Sequence, residues 1–271
     1  MSSNGEIMKN LKLFIREFAK NNLLFHSAQN AFYFTLSIFP FLYLITKILI
    51  IFPIPSENFL KGIKILIPEE ALQIIYSGLK TVSDTPGVLH SIPYIIVALW
   101  SSSMLIYSLK SLFSTFYNQK PTKNRILTRI LSLVITTVIL LGIIFTFMAV
   151  FFINLALNII IKNSAINYSP GIISAISLVL IIFDIVLLYI ILPPVKVKIS
   201  QALPGAIITA VSLTIFSFLF SYYVSYIADY SRFYGALGGV VTLLLWFYIS
   251  SVIILSGGLI NSKFFNIKDT L

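Results

Sequence analysis

Six stretches of the sequence, about 30–52, 88–109, 130–161, 171–192, 202–227 and 237–260, each run the width of a membrane with almost no charge. A bilayer core about 30 Å thick needs roughly 20 apolar residues in a helix, and each stretch supplies them. The third, ILSLVITTVILLGIIFTFMAVFFINLALNIII, exceeds that need and must tilt or project from the bilayer. Composition points the same way: of 271 residues, 58% are hydrophobic and only 10% charged, against about 25% charged in an average soluble domain. Such a chain cannot cover itself with polar groups, so its solvent must be largely lipid. The expected fold is all-α, a single integral membrane domain over 1–271 built as a polytopic bundle of six transmembrane helices.

Basic residues give the orientation. With six spans both termini share one side. That side carries thirteen Lys and Arg: Lys9, Lys12, Arg16, Lys20, Lys110, Lys120, Lys123, Arg125, Arg129, Lys196, Lys198, Lys263 and Lys268. The other side carries five, Lys61, Lys64, Lys80, Lys162 and Arg232, while Lys47 falls near the outer end of the first span and can snorkel. Both termini are therefore expected in the cytoplasm. The net charge of +10 then belongs with anionic inner-leaflet lipid, and no nucleic acid is expected as a partner. Residues 6–20 place Ile7, Leu11, Phe14 and Phe18 at helical spacing with Lys9, Lys12, Arg16 and Lys20 elsewhere, the pattern of an interfacial amphipathic helix. The first outer loop reads as two further short amphipathic helices. Ser56 would cap one, and Pro68 followed by Glu69 and Glu70 would open the other, in a loop that covers the bundle mouth or rests on lipid.

The stretch YGALGGVVTLLLWFYISSVIILSGG puts Gly235, Gly238, Gly239, Gly257 and Gly258 into an apolar helix. In lipid, helices associate by close backbone approach, which small residues permit. Gly235 and Gly239, Trp246 and Gly257 are accordingly expected to pack this last span among its neighbours. The same region resembles the closing signature of the YihY/BrkB family of bacterial inner-membrane proteins, through Tyr234, Gly235, Ala236, Trp246, Tyr248, Gly257 and Asn261. LPPVKVKISQALPGAI resembles that family's segment of Leu192, Pro193, Lys196, Val197, Leu203, Pro204, Gly205 and Ala206. AFYFTLSIFPFL and ALWSSSMLIYSL are similar to its first-span and second-span motifs, at Ala31, Tyr33, Leu36, Ser37, Phe39, Pro40 and at Leu99, Trp100, Ser101. The resemblance implies a multi-pass protein of the bacterial inner membrane with six spans and cytoplasmic termini. One departure stands out: many members carry a glutamate where this chain has Leu259.

Asp184 is the sharpest candidate for chemistry. It lies eight residues inside the fourth span, about 12 Å from its end at 1.5 Å per residue, where an ionised carboxylate costs roughly 2.5–3.5 kcal/mol. It reads either as a coupling or gating site, or as a protonated or paired residue joining two helices. Ser101 and Ser102, with Ser103 and the pair Asn154 and Asn158, could line a polar seam for translocation or serve as ordinary helix contacts. Tyr222, Tyr226, Asp229, Tyr230 and Arg232 form either an aromatic belt or an outer vestibule for a polar head group. Pro40, Pro93 and Pro204 kink their helices or act as hinges.

The chain has no cysteine, so disulfides and thiolate chemistry are excluded. His26 reads as a surface residue before the first span, and neither it nor His90 has metal-ligand spacing. No motif calls for a metal or cofactor. The family formerly carried a ribonuclease label, but metal-dependent nucleases need converging carboxylates or histidines, and five acids here, Glu57, Glu69, Glu70, Asp84 and Asp229, fall on the outer side. A non-enzymatic protein is expected, transporter-like and moving a lipid or other amphipathic solute. The alternative is a membrane scaffold or a homo-oligomeric or partner-binding subunit that docks through the basic loop 110–129.

Overall fold

The computed structural model describes residues 3–51, 92–119, 128, 130–139, 141–142, 145–146, 149, 170–226 and 237–264. Within them the chain forms α1 (Ser3–Lys20), α2 (Leu23–Ile51), α3 (Ile92–Phe116), α4 (Ile130–Ile139), α5 (Pro170–Ile191), α6 (Ile199–Tyr226) and α7 (Gly238–Phe264). Among the described residues there is no strand. Two helices meet the length and apolarity needed to cross a membrane, over Ile199–Val224 in α6 and Gly238–Lys263 in α7. The first outer loop with Ser56 and Pro68, and the residues Asn154, Asn158, Asp229, Tyr230, Arg232 and Gly235, lie outside the described residues.

Two boundaries depart from the sequence expectation. Helix α2 starts at Leu23 rather than near 30, so His26 sits within it, half-buried, with Nδ1 inside the protein, instead of on the surface. Helix α3 continues through Phe116, so 110–116 is not loop. The reason is a stripe of Leu109, Leu112, Phe113 and Phe116 at helical spacing, all buried. Lys110 is tucked in with them, and burial pushes its ammonium below the ordinary lysine range. The same surroundings push the Tyr117 phenol up to about 12.

Helix α7 is the hub: it packs against α2, α6, α3 and α1, while α2 also packs on α3 and α5 on α6. Helices α2 and α7 run antiparallel. Asn30 meets Ser251, and one turn further along α2 Phe34 stacks on Phe247, with ring centroids 5.1 Å apart. The main core joins Leu105, Leu109, Phe113, Tyr189, Leu192, Ala206, Leu255 and Leu259. The outward faces are also apolar: Phe145, Val179 and Phe218 are 63%, 64% and 72% exposed. In water so much contiguous apolar surface would aggregate; against lipid tails it costs nothing.

Helix α1 departs from its expected single stripe. Phe14 and Phe18 pack on the bundle, but Leu11 points outward with Met8 and Ile15. Between the two phenylalanines lies Glu17, which is 7% exposed. Its carboxylate sits 3.5 Å from Lys263 Nζ at the end of α7, with Arg16 and Lys20 at 3.7 and 3.9 Å. A tight turn locks this arrangement: Asn22 takes a left-handed backbone (φ 49°), which asparagine tolerates better than most residues, and the Asn21 amide donates to the Glu17 carbonyl at 2.7 Å.

Candidate functional site

Buried polar groups gather in two layers along α7. The first lies where α5, α6 and α7 meet. Pro204, inside α6, has no N–H and disturbs the hydrogen-bond ladder around it. Asn261 of α7 grips the backbone on both sides of it: its Oδ1 accepts from the Gly205 N–H at 2.8 Å, and its Nδ2 donates to the Ala202 carbonyl at 3.0 Å. The amide can come this close because residue 205 has no side chain. A Cβ there would lie 2.5 Å from Asn261 Cγ.

Tyr189 of α5 completes the layer. Its hydroxyl donates to the Ile254 carbonyl of α7 at 2.6 Å and lies 2.8 Å from Thr209 Oγ1 of α6. The phenol has one proton, and the carbonyl can only accept, so Thr209 is the donor to Tyr189. Gly257 sits against this pair: a Cβ would overlap both the Thr209 and the Tyr189 hydroxyls and come within 3.1 Å of the Gly205 carbonyl. Gly258 meets the ring of Phe113 in the same way, at 2.5 Å. These two glycines admit particular side chains of α3, α5 and α6 to the backbone of α7. Tyr189→Phe should lower the midpoint of thermal unfolding in detergent. Two buried oxygens lose their partner, which is worth roughly 1–3 kcal/mol.

The second layer runs between α2 and α7. Asn30 Nδ2 donates to Ser251 Oγ at 3.2 Å. Ser27 Oγ, Asn30 Oδ1 and Ser250 Oγ are buried in the same region without a hydrogen-bond partner. Other buried hydroxyls bond back to their own helix, Ser101 to the Val97 carbonyl at 2.7 Å and Ser103 to that of Trp100 at 2.8 Å. Ser27 and Ser250 do not, although serine in a helix has that option. Both lie on the facing stripes of α2 and α7, since Ser27 precedes Asn30 by three residues and Ser250 follows Phe247 by three.

Of the residues expected from sequence, Ser101 and Ser102 are buried on α3. Asp184 is half-buried on α5 and faces the continuation of α4: a Cβ on Gly142 would lie 3.6 Å from its Oδ1. The Thr146 hydroxyl, one turn beyond Gly142, is buried without a hydrogen-bond partner. No described contact joins Asp184 to the serines of α3. Tyr222 and Tyr226 pair on α6 at 4.9 Å between ring centroids and point outward. Trp246 donates to Ser217 of α6 at 3.4 Å, and Gly239 is half-buried next to Thr242, whose hydroxyl bonds the Gly238 carbonyl. Among the described residues no three His, Cys, Asp or Glu gather as metal ligands.

Sequence reasoning missed Glu17, Asn30, Tyr189 and Thr209. Tyr189 carried a usable signal, a lone hydrogen-bonding side chain in the run IVLLYIIL; Asn30, preceded by His26, Ser27 and Gln29, reads as the polar entry to the first span, and Thr209 carried no signal, because threonine is ordinary in membrane helices.

An all-helical chain with an apolar exterior and polar groups confined to its helix contacts is built as a helical membrane protein. Residues 14–268 match the family model described as "Virulence factor BrkB", and the chain belongs to that family. It is 30% identical over 254 residues, 87% of this chain and 88% of the relative, to a ribonuclease-like protein of Bacillus subtilis, YfkH. It is also 34% identical over 79 residues, 29% of this chain and 19% of each relative, to UPF0761 membrane proteins of Xanthomonas campestris pv. campestris and Xanthomonas oryzae pv. oryzae. No solved structure matches.

Proposed function

We propose that this protein is a non-catalytic, transporter-like component of the bacterial inner membrane, with six spans and cytoplasmic termini, that moves a lipid or another amphipathic solute along a polar seam in the bundle. The observation that carries the reading is the layer between α2 and α7, where Ser27, Asn30 and Ser250 keep buried oxygens unpaired inside a bundle whose outside is apolar. Each such oxygen costs roughly 1–3 kcal/mol when nothing meets it, so a track of them is retained for a polar occupant. An amphipathic solute fits that arrangement: its head group would follow the seam while its tails remain in lipid. Asp184, half-buried beside Gly142, supplies a second polar point on α5, and intramembrane acids are functional by default.

The test is reconstitution of the purified protein into liposomes containing a head-group-labelled lipid that a membrane-impermeant reductant quenches. Quenching beyond the outer leaflet, faster than in protein-free vesicles and slowed by Asn30→Ala and Asp184→Asn without loss of the folded state, is the expected result. A rate equal to empty vesicles, with folding verified, removes lipid as the substrate. The weight then passes to a docking role for the basic residues that follow α3, Lys120, Lys123, Arg125 and Arg129, in which case Lys→Gln changes there abolish recovery of a partner. The ribonuclease-like name of the Bacillus subtilis relative is not carried over, because nuclease chemistry calls for converging acids or histidines on a metal.

A further inference from the structure

Helix α1 presents three separate surfaces. At about 100° per residue, Phe14, Glu17 and Phe18 share one side, and this side is docked on the bundle. Next to it comes an apolar stripe of Met8, Leu11 and Ile15, which are 57%, 56% and 58% exposed. Lys12, Arg16, Lys9 and Lys20 fill the adjoining sector, and all four are exposed. An apolar stripe bordered along one edge by cations matches the boundary of an anionic leaflet, with acyl chains against the stripe and phosphates against the basic edge. The helix cannot turn away from that position: the left-handed Asn22, the Asn21–Glu17 hydrogen bond and the Glu17–Lys263 ion pair fix its roll.

We infer that α1 is a two-sided clamp that holds the end of α7 to an anionic lipid surface, with the Met8–Leu11–Ile15 stripe and its basic edge as the lipid-binding face. The two sides are coupled through Glu17. Arg16 and Lys20 share its carboxylate with Lys263 but are themselves 74% and 69% exposed. Lipid phosphates compete for those two exposed cations. When they are drawn to the leaflet, Glu17 is left to Lys263, which is 18% exposed and stands two residues beyond Asn261. Anionic lipid therefore tightens α1 on α7 next to the amide that holds α6 at Pro204. This inference is independent of the transport reading and applies equally to a scaffold.

The full-length chain offers a clean test because it has no cysteine. Single nitroxide labels go on Leu11→Cys, Ile15→Cys and Lys12→Cys, in nanodiscs of phosphatidylcholine alone or with phosphatidylglycerol. All three positions are exposed, so the fold does not depend on them. With phosphatidylglycerol present, labels at 11 and 15 should become accessible to oxygen and lose accessibility to a water-soluble nickel chelate, while the label at 12 stays open to nickel. A label on Asn10→Cys, an exposed position on the Glu17 side of α1 that leaves Lys263 in place, should be immobilised by anionic lipid with Glu17 present and should lose that immobilisation in the Glu17→Gln background. Nickel accessibility at 11 and 15 that ignores phosphatidylglycerol overturns the inference. So does protection that appears only in discs holding two copies, because the stripe would then be a protein–protein face.

Discussion

Adding a single methyl group at Gly257 should cost this protein its folded state. In Gly257→Ala the new Cβ overlaps the Thr209 and Tyr189 hydroxyls and crowds the Gly205 carbonyl. None of these neighbours can retreat cheaply. The hydroxyls hold each other and the Ile254 carbonyl, and the carbonyl is backbone of a packed helix. Overpacking a tight core costs roughly 1–3 kcal/mol, and separating the Tyr189–Thr209 pair adds a comparable loss. The expected outcome is a sharp fall in the monodisperse fraction on size-exclusion chromatography and in the thermal midpoint. Gly5→Ala, where a Cβ meets nothing within 4 Å, should leave both unchanged. If Gly257→Ala matches Gly5→Ala, the junction of α5, α6 and α7 is looser than the geometry described above.

Asn261→Ala should be almost as damaging for a different reason. The side chain meets the Gly205 N–H and the Ala202 carbonyl together, next to a proline that already removes a backbone donor. Losing two buried hydrogen bonds to the backbone costs roughly 1–3 kcal/mol between them. Asn261→Asp is the informative companion: its carboxylate keeps the acceptor for Gly205 but sets a buried charge against the Ala202 carbonyl, so its melting point at neutral pH should fall at least as far as that of Asn261→Ala and should recover in acid, where the protonated carboxyl can donate to Ala202. Equal melting points for all three proteins would show that α6 holds its own backbone around Pro204 without help from α7.

The helical architecture was legible because long apolar runs have few alternatives. The apolar runs at 171–192, 202–227 and 237–260 return as Pro170–Ile191, Ile199–Tyr226 and Gly238–Phe264. Boundaries slipped where a helix outlasts its apolar stretch, as α3 does beyond Lys110 on the strength of Leu112, Phe113 and Phe116. The site was less legible. Composition singled out Asp184 and the serines of α3, because a charge or a run of hydroxyls in an apolar stretch is conspicuous. Partnership is what the sequence hides: Asn30 and Ser251 are separated by 221 residues, Tyr189 and Ile254 by 65, and Gly205 and Asn261 by 56. Glu17 was hidden for another reason, since an acid among basic residues on an amphipathic helix reads as solvated until its partner on α7 is known.

The position of α7 in the chain has a consequence for how the protein is made. It is the helix on which α1, α2, α3 and α6 all pack, and it follows every one of them in the sequence. Each earlier helix therefore leaves the ribosome before the surface that will satisfy its polar groups exists, and Asn30, Tyr189 and Pro204 must wait in the bilayer with temporary partners. Domains whose closing contacts are far apart in sequence are exposed to misassembly during that interval. Quality-control proteases and insertion factors would meet an open intermediate of α1 to α6. Premature termination before residue 250 should release a chain that inserts but does not assemble.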